Sequence, residues 1–148
     1  MNEALMIEAV RKTITVDCAV EEAFRIFTAD AISWWPVESH SIHETVSEIV
    51  FEPEVGGEVY ELSTGGEKGH WATVLEWNPP GRIVIAWNIL ERDIAATEVE
   101  VRFLPEGAGT RVELEHRGWD ALDGGAAKRG DYDTGWDFVL GRYVAHTG

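Results

Sequence analysis

Seven tryptophans stand in a chain of 148 residues, and each indole brings a large apolar face with a single N–H that needs an acceptor. Trp87 ends a run in which Ile83, Ile85 and Trp87 alternate onto one face, and Trp136 falls in a helical period near the C-terminus. These two are candidate walls of a ligand cavity. Trp119, just after the last β-rich run, and the Trp34-Trp35 pair, at the end of the first helical stretch, are candidate rim residues, while Tyr132 and Tyr143 flank Trp136 along its helix. Ordinary core packing stays open for every one of them, since cores without any ligand also use aromatics. His116 shares a strand face with Val112 and Leu114 and is expected to point inward. An imidazole there could orient a ligand or exchange protons near neutral pH, or it could be satisfied by a backbone carbonyl or a carboxylate.

The other reactive types are less specific. His40, His43 and Glu44 read H-x-x-H-E, but a helical zinc pair needs histidines four residues apart with a carboxylate between, and the segment follows a proline. No metal and no cofactor are expected. Cys18, the only cysteine, precedes a helix whose dipole could activate a thiolate, yet no histidine or asparagine context accompanies it, so a small packed hydrophobe is the reading. Gly65-Gly66-Glu67-Lys68-Gly69 lacks the Gly-Lys-Ser/Thr ending of a phosphate loop and reads as a hairpin turn.

The elements that must position these groups follow from periodicity. Ile7 to Val16 reads as a first strand, and Val20, Ala23, Phe24 and Phe27 make one apolar stripe on a short helix ending near Asp30, with Glu21 and Glu22 in its first turn. Ile32 to Pro36 reads as a turn or second short helix stopped by the proline. From Val46 onward come VSEIVF, EVYEL, GHWATVLEW, RIVIAWNI, ATEVEVRFL and TRVELEHRG, separated by Gly56-Gly57, Gly65-Gly66, Pro79-Pro80-Gly81, an Arg92-Asp93 turn and Gly107-Ala108-Gly109. That makes about seven antiparallel strands. Val99, Val101 and Phe103 oppose Glu98, Glu100 and Arg102, which predicts one wet face and one covered face. A helix over about 130–146 supplies the cover through Tyr132, Trp136, Val139, Leu140 and Tyr143, although Gly130, Gly135 and Gly141 interrupt it and call for close packing or mobility. The expected class is α+β, one helix-grip domain over residues 1–148, with a curved antiparallel sheet wrapped around a long C-terminal helix.

Composition narrows the partners. The net charge is −15, and residues 1–67 hold 14 Asp and Glu against 3 Lys and Arg. Such a chain is a poor match for nucleic acid or an anionic membrane. No run reaches the roughly 20 apolar residues of a membrane span, and Met1 to Thr15 lacks the order of a signal peptide. With a single cysteine, the expectation is a cytoplasmic protein.

Several phrases, in order, resemble one family over nearly the whole chain: Phe27-Thr28 and Trp34-Trp35-Pro36, His40-Ser41-Ile42, Gly56-Gly57-Glu58-Val59-Tyr60-Glu61, Trp77-Asn78-Pro79-Pro80-Gly81-Arg82, Ala86-Trp87, Ala96-Thr97-Glu98-Val99-Glu100-Val101, Gly109 to Leu114, His116-Arg117-Gly118-Trp119 and Gly135-Trp136-Asp137. The sequence is similar to the heat-shock-chaperone ATPase activator-like family of the START-like, SRPBCC superfamily, whose fold is also described as Bet v 1-like. The resemblance implies a helix-grip fold with a hydrophobic cavity, and relatives that include polyketide cyclases, aromatases and lipid carriers. The expected function is binding of a small hydrophobic or aromatic molecule between sheet and C-terminal helix. Two alternatives are a cyclase or aromatase, which needs placed acids and bases in the cavity, and a co-chaperone-like interaction domain or homodimer, which needs an exposed patch.

Overall fold

Seven alternating runs pair into a single curled sheet. In the computed structural model, which describes residues 7–89 and 96–147, the strands are β1 (Val10–Val16), β2 (Val46–Phe51), β3 (Glu58–Ser63), β4 (Lys68–Asn78), β5 (Arg82–Trp87), β6 (Thr97–Glu106) and β7 (Gly109–Arg117). Their order is β1-β7-β6-β5-β4-β3-β2, every pair antiparallel. Strands β2 to β7 form a meander, and β1 closes the far edge beside β7. The chain between β1 and β2 must therefore cross the whole sheet, and it does so through α1 (Val20–Thr28) and the loop after it. The long helix α2 (Gly125–Thr147) completes the helix-grip arrangement.

Alternation assigns the faces as the sequence predicts. Thr110, Val112, Leu114 and His116 are buried while Arg111, Glu113, Glu115 and Arg117 are half-exposed, and Val99, Val101 and Phe103 are buried on β6. The cover is shared between both helices: Phe24 and Phe27 of α1 meet Phe103 edge-on at 5.3 and 5.7 Å, whereas α2 buries Trp136, Val139, Leu140 and Tyr143. On the outer face, Arg82 and Arg117 reach Glu100 at 2.7 Å each, and Arg102 bridges Glu100 and Glu113. Burial alone would raise the Glu100 carboxyl, but these guanidinium groups hold it down to about 2.

Differences lie at element ends. β1 begins at Val10 rather than Ile7. The helix α2 begins at Gly125, ahead of the expected 130, because its first turn (Gly-Ala-Ala-Lys-Arg) carries no large apolar residue for a hydrophobic period to detect. Gly125 is required there: a Cβ on it would stand 2.0 Å from the Trp119 carbonyl oxygen. The Arg92-Asp93 turn and the segment Met1 to Met6 lie outside the described residues. Among the described residues no helix is long and apolar enough to cross a membrane.

Close packing does not account for two of the glycines inside α2. A Cβ on Gly130 or Gly141 would meet nothing within 4 Å, so these positions carry the backbone-entropy cost of glycine without a contact that needs it. Gly130→Ala and Gly141→Ala are each expected to stabilise the protein by about 0.5–1 kcal/mol. Urea unfolding followed by circular dichroism reads this as a higher midpoint at unchanged slope.

Candidate functional site

Between the sheet and α2 lies a cavity of about 310 Å³, lined mainly by Trp35, Trp71, Trp87, Tyr132, Trp136 and the His40–Ile42 loop. Four indoles from four separate elements close into a ring. Trp35 meets Trp71 at 4.9 Å, Trp71 meets Trp87 at 5.8 Å, Trp87 meets Trp136 at 6.1 Å and Trp136 meets Trp35 at 6.0 Å. Trp71 reaches this ring through a β-bulge. Val59 pairs with Ala72 and Tyr60 with His70, which leaves Trp71 as the extra residue on β4, and a bulge breaks the inward–outward parity of a strand.

Each indole of the ring spends its N–H on a protein acceptor. Trp35 Nε1 donates to the His40 carbonyl at 2.7 Å, Trp71 Nε1 to Glu61 Oε1 at 2.7 Å, Trp87 Nε1 to the Tyr132 hydroxyl at 2.8 Å, and Trp136 Nε1 to His116 Nδ1 at 3.0 Å. This leaves the ring with carbon surface and no unused N–H. The acceptors fix the states behind it. An indole can only donate, so His116 Nδ1 accepts and the proton of the neutral ring sits on Nε2, 2.7 Å from Thr97 Oγ1. His116 is fully buried and burial pushes it down to about 3. It is neutral across the physiological range and holds Trp136 in place. Burial likewise raises the Tyr132 phenol, opposed in part by the Trp87 N–H, so it stays protonated.

The loop wall is pinned by one carboxylate. Glu61, fully buried on β3, accepts from the backbone N–H of Ile42 at 2.8 Å, the backbone N–H of His43 at 2.7 Å and the Trp71 indole, and pairs with His43 Nδ1 at 2.7 Å. Burial would raise its carboxyl, but the backbone amides, the indole and the imidazole together hold it below the usual carboxylate range. Gly69 makes room for this loop: a Cβ there would stand 2.9 Å from Ile42 Cδ1. The polar lining is Ser39, His40, Ser41, Asp131 and Tyr132. Among the described residues no lysine or arginine lines it.

The candidates read from the sequence divide. Trp35, Trp87, Tyr132 and Trp136 line the cavity. His116 stands behind Trp136 rather than in the lining, and burial depresses its basicity. Trp119 is fully buried beneath His116, with ring centroids 4.2 Å apart, and donates to the His116 carbonyl at 2.9 Å. Trp34 packs against Phe27 and Tyr143 and donates to the Ile26 carbonyl; Tyr143 donates to the Ala23 carbonyl at 2.6 Å. These four are buried outside the lining of the cavity. His43 belongs to the Glu61 latch, and among the described residues no three metal-ligating side chains cluster. Trp71, Glu61 and the cavity role of His40 carry no local signal, since the bulge that turns Trp71 is visible only in the strand register.

The family model described as "Activator of Hsp90 ATPase homolog 1-like protein" matches residues 17–144. No curated protein matches the chain. Among solved structures, an anthrahydroquino-γ-pyrone synthase, Txn09, is 33% identical over 95% of this chain and 97% of its own, with a TM-score of 0.61. CalU16 from Micromonospora echinospora is 24% identical over 90% and 72%, with a TM-score of 0.61. The Aha1 dimer from Colwellia psychrerythraea is 15% identical over 95% and 96%, with a TM-score of 0.68. At the last two identities the likeness is one of fold.

Proposed function

The chain belongs to the activator of Hsp90 ATPase homolog 1-like family, and within that family we propose that it binds a flat, aromatic small molecule in the indole-walled cavity. The observation that carries this is the ring of Trp35, Trp71, Trp87 and Trp136 with every N–H turned to a protein acceptor. Such a wall offers dispersion and ring stacking with no donor left to satisfy. The cavity volume of about 310 Å³ sits at the small end of the roughly 300–1,000 Å³ of ligand pockets. We place the protein in the cytoplasm, in keeping with its single cysteine.

A second reading is favoured by a separate observation. His40, Asp131 and Tyr132 converge on the same cavity, and a carrier needs no such set whereas an enzyme that closes rings by proton transfer does. The 33% identity to a protein named as a synthase of a fused aromatic product points the same way. A co-chaperone or dimer role would instead use an exposed apolar patch; of the large exposed hydrophobics among the described residues, Val55 lies in the β2–β3 turn beside β4, which carries Leu75, and Phe138 is on α2.

The test fills the cavity without cutting the core. Gly135 lines it, and a Cβ there would stand 3.8 Å from His40 Nε2 in ordinary contact. Gly135→Leu should project into the cavity. Titration with alizarin, a flat hydroxyanthraquinone, is expected to quench indole emission and raise the melting temperature in the wild type, by about 2.7 kcal/mol of stability at a hundredfold excess over Kd. The variant should melt no lower than wild type and bind at least tenfold more weakly. Equal binding by both proteins would place the ligand elsewhere, and absence of any saturable response to alizarin and related fused aromatics would remove the reading.

A further inference from the structure

We infer that the cavity takes a phenolic polycycle with a hydroxyl set against His40 Nε2, and that this imidazole accepts the phenolic proton; the inference rests on the ligand reading above. Four features of His40 carry it. Its backbone is held at both ends, the N–H donating to the Pro36 carbonyl at 2.8 Å and the carbonyl accepting from the cavity-wall indole of Trp35 at 2.7 Å. Its ring is stacked on Phe138 of α2 with centroids 5.2 Å apart and planes 25° apart. Its Nδ1 lies 2.7 Å from Ser39 Oγ, while Nε2 has no hydrogen-bond partner among the described residues. The space beside Nε2 is kept open because residue 135 is glycine.

An imidazole oriented through one nitrogen and free at the other is the arrangement a proton acceptor needs. With Nδ1–H donated to Ser39 Oγ, the Nε2 lone pair faces the cavity. The phenolic O–H bond breaks, an N–H bond forms at Nε2, and the resulting imidazolium and phenolate face each other. Around that pair Asp131 adds a carboxylate to the lining, Tyr132 is a protonated donor, and among the described residues no lysine or arginine lines the cavity to stabilise the phenolate in place of His40. Glu38 also acts on His40 by charge, and it is paired with Arg142 at 2.8 Å. The aromatic ring of tryptophans takes the flat body of the guest and His40 reads its hydroxyl, so the site distinguishes a phenol from the same polycycle without one.

Alizarin tests this because its absorption separates phenol from phenolate. The apparent pKa of the bound probe is read from spectra across pH, and affinity is measured separately at a pH where the probe is neutral. In the wild type the bound pKa should lie about one unit below that of free alizarin. His40→Gln and His40→Asn, checked for fold by circular dichroism, should shift the bound probe's pKa to or above the free value and lose the wild type's preference for alizarin over anthraquinone, the same polycycle without a hydroxyl. A lowered pKa that persists in both variants would overturn the inference and leave the ligand reading standing, as would a preference for alizarin over anthraquinone kept by both folded variants. No saturable binding by the wild type would instead remove the ligand reading itself.

Discussion

Glu61→Ala is expected to cost about 3–5 kcal/mol of folding stability, the range seen when a buried charged partner is removed from the groups it serves. The carboxylate answers two backbone amides, an indole and an imidazole at 2.7–2.8 Å, and alanine leaves all four facing a void. The loss falls on the cavity before it falls on the sheet. Ile42 and His43 are the anchor of the loop that also carries Ser39 and His40, and Trp71 is one of the four indoles of the ring. With a total stability of about 5–15 kcal/mol for a domain of this size, the variant should stay folded in the cold but lose ligand-induced quenching. Glu61→Gln separates charge from shape: its amide oxygen accepts two donors, while its NH2 confronts the rest, so an intermediate loss is expected. Hydrogen exchange should show residues 39–45 opening in both variants while β6 and β7 keep their protection. Unchanged protection of that loop would mean that Glu61 does not hold it.

Acidification should destabilise the protein from pH 6.5 downward, and His116 should account for the onset. Its folded form is held down to about 3 by burial, against about 6.5 when unfolded. The unfolded chain therefore binds the extra proton throughout this window, and stability falls as pH falls. From this group alone the loss is roughly 2 kcal/mol at pH 5 relative to pH 7, at about 1.4 kcal/mol per pH unit. Glu61 and Glu100, both held low when folded, have the same sign but act only below the ordinary carboxylate range. His116→Gln cannot take up a proton, so its melting temperature should fall less steeply between pH 6.5 and 5, although it starts lower because the Trp136 N–H and Thr97 hydroxyl lose their fitted partner. The other histidines are common to both proteins and cancel in the difference. Identical slopes in the two proteins would show that His116 does not carry the effect.

Much of the architecture is local and was legible for that reason. Apolar residues two apart mark Val99, Val101, Phe103 and Val112, Leu114, His116 as inward, and residues at i, i+3, i+4 and i+7 mark α1, because strand and helix periods are properties of a few consecutive residues. The glycine and proline turns set the meander, and the family phrases along the chain set the class. The cavity is a different kind of object. Trp35, Trp71, Trp87 and Trp136 come from a loop, a bulge, a strand and a helix up to 101 residues apart in sequence, and which of seven tryptophans meet depends on how those elements pack. Trp34, Trp119 and Tyr143 are buried outside the cavity, each donating to a backbone carbonyl. A single bulge turned Trp71 inward against strand parity. His116 faces inward as its strand predicts, but only the indole of Trp136, arriving from α2, sets its tautomer, and only complete burial sets its charge. Periodicity decides which face a side chain takes; closure of the chain over long sequence distances decides what it meets there, and the chemistry depends on the second.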